Sequence, residues 1–216
     1  MKLSTIIRQA TSGELKNLAV SNEEDVIVDY INLAMIALYA RFPLKIEEAM
    51  LNLQTAKTLY RLDGTDSDVE VEGAPIEEDN VLAVLDAFDE SGRISINDED
   101  DDLSIFTASY NTIQVPISLA GAYISVIYQA APEEVVYVDS GDGSATDTDV
   151  PLPKQLLEPL LHYIGYRAHG AVEGNVQAEN NTHLMRFEAS CARAEALGMV
   201  PADSYNRKNS VKGFLV

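Results

Sequence analysis

Residues 81–96 decide the fold, and they read Val-Leu-Ala-Val-Leu-Asp-Ala-Phe-Asp-Glu-Ser-Gly-Arg-Ile-Ser-Ile. Two apolar runs, 81–88 and 93–96, flank a turn that contains a glycine, and this pattern is typical of a β-hairpin. The surrounding region, residues 63–149, contains 22 of the 35 acidic residues and a single base, Arg93. We therefore predict an acidic, β-rich subdomain built around this hairpin.

Other short apolar runs in this region predict further strands. Residues 46–62 also fit a helix by their apolar spacing, but we favour two strands joined by a turn. Gly121 and Ala122 predict a reversal between the last two well-alternating runs. The additional predicted strands are 51–53, 58–60, 112–115, 123–129 and 135–138.

The region before the acidic one predicts a long helix. Ser21 and Glu24 fit a capping box, and the helix is expected to run from there to about Arg41, just before Pro43. Two apolar faces are present, and two faces need two partners. The second face either packs inside its own domain or contacts a neighbouring subunit. The residues of this candidate subunit interface are Val28, Ile31, Met35 and Phe42.

The region after the acidic one predicts a helical hairpin. The Pro-Leu-Pro run at 151–153 introduces a first helix, and a break at 170–175 leads to a second helix closed by Gly198. Such a short link requires antiparallel packing. Beyond Pro201 the chain is basic, lacks a helical period and ends in apolar residues, which predicts an extended arm.

These elements together predict an α+β fold. Its N- and C-terminal segments, 1–45 and 150–200, form an antiparallel helix bundle. Residues 46–149 form an inserted acidic antiparallel β subdomain, and 201–216 form an extended C-terminal arm.

Composition limits the functional classes. A net charge of −20 opposes binding to a nucleic-acid backbone or an anionic membrane. A single cysteine, Cys191, excludes an intramolecular disulfide framework. Residues 1–20 lack a signal-peptide core, and the apolar stretch 26–39 is too short to cross a bilayer, so we expect synthesis in the cytoplasm and no membrane span.

Candidate catalytic chemistry is sparse. The sequence has no phosphate-binding glycine loop, zinc-protease helix motif or nucleophile elbow. His162 and His169 share one predicted helix, but no neighbouring cysteine or carboxylate cluster completes a metal site, and we expect them and His183 to be structural. The acidic runs 66–70 and 97–102 resemble calcium loops but lack the turn glycine, so solvated loops are the preferred interpretation. We predict no catalytic residue, cofactor or metal.

A family resemblance rests on the C-terminal region. Residues 152–168 read Leu-Pro-Lys-Gln-Leu-Leu-Glu-Pro-Leu-Leu-His-Tyr-Ile-Gly-Tyr-Arg-Ala, followed by Glu-Gly-Asn at 173–175 and Phe-Glu-Ala at 187–189. This block resembles the C-terminal hairpin of the head-to-tail adaptor proteins of tailed bacteriophages. Nearly the whole chain shares the resemblance, because further segments match in the same order. These segments are 13–18, 38–44, 89–93 and 110–116, whereas the loop 140–149 is longer than usual.

The resemblance implies a structural protein of the virion neck. Such adaptors form a ring, usually twelvefold, that docks on the portal protein and offers a platform to the stopper or tail, while the genome passes through without specific binding. The C-terminal arm would bind the portal through bases that pair with acids and through apolar anchors. The residues expected to do so are Arg207, Lys208, Lys212, Phe214 and Leu215.

Other functions stay open. A tail terminator or tail-tube protein would bind the tube rather than the portal. An acidic DNA-mimic inhibitor would share the negative charge, although its carboxylates should follow rigid helices rather than turns. A glycan hydrolase would need a pair of carboxylates in a cleft, and no spacing in the sequence singles one out.

Overall fold

The structure of the chain, a computed structural model, describes residues 1–71, 73, 76–77, 80–137, 148–171 and 177–199, without the side chains of 22, 171 and 177–181. Two compact units are present. The helical unit combines Met1–Phe42 with the described residues of 132–199, and the β unit is Pro43–Ala131. The boundaries of the inserted part therefore fall at 42/43 and 131/132, not at the predicted 45/46 and 149/150. The predicted arm, 201–216, lies outside the described residues.

Four helices, confirming the α component of the α+β class, make up most of the helical unit. They are α1 (Leu3–Ser12), α2 (Glu24–Arg41), α3 (Leu157–Ala171) and α4 (Gln177–Ala196). Helices α3 and α4 are antiparallel, because Glu158 approaches Arg193 while His169 stacks on His183. Tyr163 of α3 packs edge-on against the ring of Phe187 of α4, with a centroid distance of 5.1 Å.

The ends of the helices follow their local chemistry, with one exception. Helix α2 ends where Phe42 becomes extended ahead of Pro43, as predicted. Its start was predicted wrongly, because Ser21 lies in a 3-10 turn (Ala19–Asn22) and the N-cap residue, Glu23, makes no side-chain capping bond. Helix α4 is followed by Gly198 at φ +59°, a conformation that glycine adopts without strain.

Two extended segments complete the helical unit. Met1 donates its terminal amine to the carbonyl of Val150 at 2.6 Å, and Lys2 and Asp149 form an isolated antiparallel bridge. The strand predicted at 135–138 does not form in its described part, 135–137, because the segment lies along helix α2 instead of joining a sheet. Val138 lies outside the described residues.

The β unit contains two antiparallel sheets. The five-stranded sheet has the order β3-β1-β8-β4-β5, and the three-stranded sheet has the order β2-β7-β6. The strands are β1 (Ile46–Asn52), β2 (Leu59–Arg61), β3 (Val69–Glu70), β4 (Val81–Asp89), β5 (Gly92–Ile94), β6 (Phe106–Ser109), β7 (Thr112–Gln114) and β8 (Tyr123–Ala130).

Strand pairing confirms the hairpin predicted at residues 81–96. Strands β4 and β5 pair with Phe88 opposite Arg93, and the Asp89 carboxylate accepts the backbone N–H groups of Ser91 and Gly92 in the turn. The favoured strands within 46–62 are also confirmed as β1 and β2. A turn is present at Gly121, which has a φ of +83°, but it does not join a hairpin, because β7 and β8 belong to different sheets.

The core of the β unit forms from the alternating positions of these strands. Strand β8 pairs with β1 from Ile46 opposite Gln129 to Asn52 opposite Tyr123, so it is the central strand of the larger sheet. The largest buried side chains of this core are those of Tyr60 and Tyr128, packed with Leu51, Leu62, Ile113 and Ile124. None of the helices in the described residues combines the length and the apolar character needed to cross a lipid bilayer.

Candidate interaction surfaces

The second apolar face of α2 is already covered by its own unit. The four side chains predicted for a subunit interface are each 3% exposed or less, so they leave almost no surface for another molecule. They are Val28, Ile31, Met35 and Phe42. The exposed apolar side chains of α2 are instead Leu33, at 38%, and Ile36, at 48%. Burial of these four side chains favours the first of the two alternatives, packing inside the chain, and the candidate contact surface is instead at Leu33 and Ile36.

Leu33 and Ile36 line a groove of about 460 Å³. Its far wall is the extended segment that begins at Pro132, and this segment is fixed by Asn32, whose side chain donates to the carbonyl of Val135 and accepts from its N–H, both at 2.9 Å. The remaining lining residues are acidic: Asp29, Glu133 and Glu134. We call this surface the α2 groove; it has an apolar floor and an acidic rim.

Arg41 joins the end of α2 to α4. Its Nε donates a hydrogen bond to Glu195 at 2.8 Å, and its Nη1 donates one to Glu188 at 2.5 Å. These bonds raise the pKa of the guanidinium, and the bond to Glu195 has the larger effect. Cys191 lies buried beside this pair. Burial raises the pKa of its thiol to about 11, so the thiol stays protonated at neutral pH.

The β unit presents its negative charge outward. Its sequence holds 18 acids and four bases. Three of these bases are in ion pairs: Lys45 with Glu47, Lys57 with two aspartates, and Arg93 with Asp86. A base held by a carboxylate is a poor ligand for phosphate, because binding would have to break the existing pair.

The two acidic runs considered for calcium have internal roles. In the first, the carboxylates of Asp66 and Asp68 bind Lys57. In the second, Asp98 and Asp101 accept the backbone N–H groups two residues ahead, and the bond from Leu103 lowers the pKa of Asp101. Both runs therefore form turns stabilised by their own carboxylates.

A group of histidines lies in the helical unit, where the sequence analysis found isolated residues. His162 Nδ1 lies 3.3 Å from Glu14 Oε1, and His183 Nδ1 lies 3.1 Å from Glu14 Oε2. His169 stacks on His183 at a centroid distance of 4.6 Å, and its Nε2 lies 3.2 Å from the backbone carbonyl of Glu14. We call Glu14, His162 and His183 the histidine cluster.

The carboxylate of this cluster was missed by sequence reasoning. Glu14 follows α1, far along the chain from the histidines on α3 and α4, and no spacing rule connects it to them. His162 and His169 lie seven residues apart and therefore on one helix face, so their proximity was readable from the sequence. The fold therefore places the carboxylate of Glu14 beside the histidines, where the sequence showed none nearby.

The residues predicted to bind the portal lie outside the described residues. They are Arg207, Lys208, Lys212, Phe214 and Leu215. Among the described surfaces, the α2 groove and the acidic face of the β unit are candidates for contact with other molecules.

Comparison with known proteins identifies the family. The comparison with curated proteins gave no significant match. The family described as SU10 adaptor protein matches residues 1–211, which includes both units and almost the entire chain. This agrees with the resemblance to phage head-to-tail adaptors seen in the sequence. The chain belongs to the SU10 adaptor protein family.

Proposed function

We propose that this protein is a structural component of the neck of a tailed bacteriophage, where its subunits form a ring that docks on the portal and links the capsid to the tail. The observation that carries the proposal is the family match over residues 1–211, since it spans the helical unit and the β unit together. The role is mechanical, and no catalytic step is part of the proposal.

Ring formation requires two different surfaces on each subunit, because a cyclic assembly is built from heterologous contacts. The α2 groove is our candidate for one of them. Leu33 and Ile36 supply apolar area, and the acids Asp29 and Glu133 favour a basic partner surface. We assign the groove to the neighbouring subunit of the ring.

Portal binding is assigned to the C-terminal arm on the basis of its sequence. Arg207, Lys208 and Lys212 would pair with acidic residues of the portal, and Phe214 and Leu215 would enter apolar pockets.

The β unit is proposed to let DNA pass without binding it. Its carboxylates repel phosphates, and Lys45, Lys57 and Arg93 are already paired with carboxylates of the same unit. A reconstruction in which this unit holds DNA phosphates would contradict the assignment. Whether it faces the channel or the outside of the neck is decided by the same image.

The proposal is tested by mixing the purified protein with its portal and measuring the mass of the complex by native mass spectrometry. We expect a ring on the portal for the full chain and no complex for a variant lacking residues 203–216. The double change Leu33→Ser and Ile36→Ser should keep binding of single subunits but prevent the ring. Binding to the tail tube in place of the portal would instead favour a tail terminator, and undiminished portal binding by the truncated variant would refute the role of the arm.

A further inference from the structure

The histidine cluster is built in the interior of the helical unit, at the meeting point of three chain segments. Glu14 comes from the turn after α1, His162 from α3 and His183 from α4. One ligand atom from each of the three lies within 4.8 Å of the others. Within the part of the chain that the structure describes, this is the only group of three or more His, Cys, Asp or Glu side chains close enough to share an ion.

The two histidines lie close to the Glu14 carboxylate, but the geometry does not allow hydrogen bonds between them. Both Nδ1 atoms are buried, and in the described structure neither has a hydrogen-bond partner with acceptable geometry, although each lies near a Glu14 oxygen. Buried polar atoms without a partner are rare and need a cause. His183 is only 8% exposed, so water has little access to its ring and cannot readily replace the missing hydrogen-bond partner.

Gly165 makes this arrangement possible. A Cβ at this position on α3 would lie 2.7 Å from His183 Nδ1 and 3.3 Å from the Cβ of Glu14. Glycine in the middle of a helix costs about 1 kcal/mol relative to alanine. Its presence here therefore leaves space for the ring of His183 to face Glu14, at the expense of helix stability.

The donor set matches a known kind of metal coordination. Two imidazole nitrogens and one carboxylate suit zinc and other first-row transition ions, and three protein ligands leave one coordination position open. With metal–ligand bonds of about 2.0–2.1 Å, tetrahedral ligands lie about 3.3 Å apart. The two nitrogen–oxygen separations are of this size, 3.3 Å from His162 to Oε1 and 3.1 Å from His183 to Oε2, so each histidine approaches a different oxygen of the carboxylate.

The surroundings also fit such an ion. A cavity of about 520 Å³, lined in part by Glu14 and His162, gives access from solvent. The Nε2 of His162 lies 3.8 Å from Glu158, and a carboxylate facing the outer nitrogen of a metal-binding histidine is a common arrangement.

We propose that Glu14, His162 and His183 bind one divalent transition-metal ion, through the carboxylate and the two Nδ1 atoms, with zinc as the ion of choice. The bound ion would join the turn after α1 to α3 and α4 and so stabilise the helical unit. The remaining coordination position faces the cavity, where water completes the shell. This assignment does not depend on ring formation or on portal binding.

The test uses the full chain without a histidine tag, freed of metal with a chelator and then dialysed. Zinc chloride is titrated into it by calorimetry, and the thermal midpoint is measured with and without zinc. The key variant is Glu14→Gln, which keeps the shape of the side chain. The matched control is Glu24→Gln, which removes an equal charge from an exposed position of the same unit, outside the groove and the cluster.

We expect one zinc ion per chain and a higher thermal midpoint with zinc. Removing an outer partner of a bound metal weakens affinity by about 10–100-fold, and removing a ligand should weaken it at least tenfold, whereas the control should bind as the unchanged protein does. Equal affinity of the Glu14→Gln variant and the control would overturn the proposal, since zinc would then be held by surface carboxylates.

A second measurement covers the case in which the Glu14→Gln variant does not fold. Cobalt(II) is added to the unchanged protein, and visible absorption is recorded before and after zinc is added. A strong d–d band that zinc removes, as expected for an ion with imidazole ligands in a low coordination number, supports the site. Absence of the band overturns the proposal, and the cluster is then a set of polar contacts within the helical unit.

Discussion

The ion pair between Asp86 and Arg93 makes a sharp prediction about the stability of the β unit. Asp86, on β4, is 0% exposed, and its Oδ1 accepts a bond from Arg93 Nε at 2.5 Å. Its other oxygen, Oδ2, has no hydrogen-bond partner in the described structure. The carboxylate therefore depends on Arg93, while the Arg93 side chain is 32% exposed and can be solvated in part without Asp86.

This asymmetry sets the magnitudes of two substitutions. Arg93→Met leaves a buried carboxylate without its counter-ion, and such losses cost about 3–5 kcal/mol. Asp86→Asn keeps a hydrogen-bond acceptor and leaves a guanidinium that can turn to water, so about 1 kcal/mol is expected. The double variant Arg93→Met with Asp86→Leu should recover most of the loss, because replacing a buried pair by apolar side chains of similar size is often neutral.

Hydrogen exchange measured by mass spectrometry on peptides of β4 and β5 resolves these changes within the β unit. The opening free energy should fall most in Arg93→Met, less in Asp86→Asn, and partly return in the double variant. Peptides of α3 should be unchanged and serve as the internal control. A loss in Arg93→Met no larger than in Asp86→Asn would refute the reasoning, since Asp86 would then be stabilised by something other than Arg93.

Three further predictions follow from the helical unit. Burial lowers the pKa of His183, so as pH falls the unfolded chain binds a proton at this residue at a higher pH than the folded protein does. In the presence of chelator, the free energy of unfolding should therefore decrease below about pH 6.5. Urea titrations should show a smaller decrease for the variant His183→Asn. Cys191, buried and with a pKa of about 11, should react with a thiol reagent far more slowly in the native protein than in urea, and equal rates would contradict its placement. Asn32→Ala should lower the free energy of unfolding by about 1–3 kcal/mol, because both backbone groups of Val135 lose their hydrogen-bond partner. Hydrogen exchange should become faster at 133–136 and stay unchanged in α4.

Local patterns predicted most of the strands, but not β3 and β6, and they did not predict which strands pair. The hairpin at β4 and β5 was found because its pairing is between neighbours in sequence, with Asp89 and Gly92 forming the turn. The sequence of β8 also suggests alternation, yet seven of its eight residues are buried, and its partners, β1 and β4, are both distant in sequence. Alternation reports that a segment is a half-buried strand, and it holds no information on which distant strand will lie beside it.

The second partner of α2 could not be identified for a similar reason. Its two apolar faces were read correctly as needing two partners, but the sequence left open whether the second one lies in its own domain or in another subunit. In the structure the chain after the β unit supplies contacts instead, through Val135 bonded to Asn32 and through Pro151, whose carbonyl accepts the hydroxyl of Tyr39 at 2.5 Å. The capping motif at Ser21 failed for a related reason, since the chain there closes a 3-10 turn before α2 starts.

The division of charge between the two units constrains how copies can assemble. The β unit combines 18 acids with four bases, and three of those bases are held within it, so neighbouring β units repel one another wherever they come within a Debye length of about 8 Å. In the proposed ring, attraction between subunits would then come from the helical unit, whose α2 groove exposes Leu33 and Ile36. Salt weakens the repulsion between β units and any attraction that Asp29 and Glu133 add at the groove, but it does not weaken the apolar contact. If the apolar contact dominates, added salt should therefore stabilise the ring, the opposite of an assembly held by surface ion pairs.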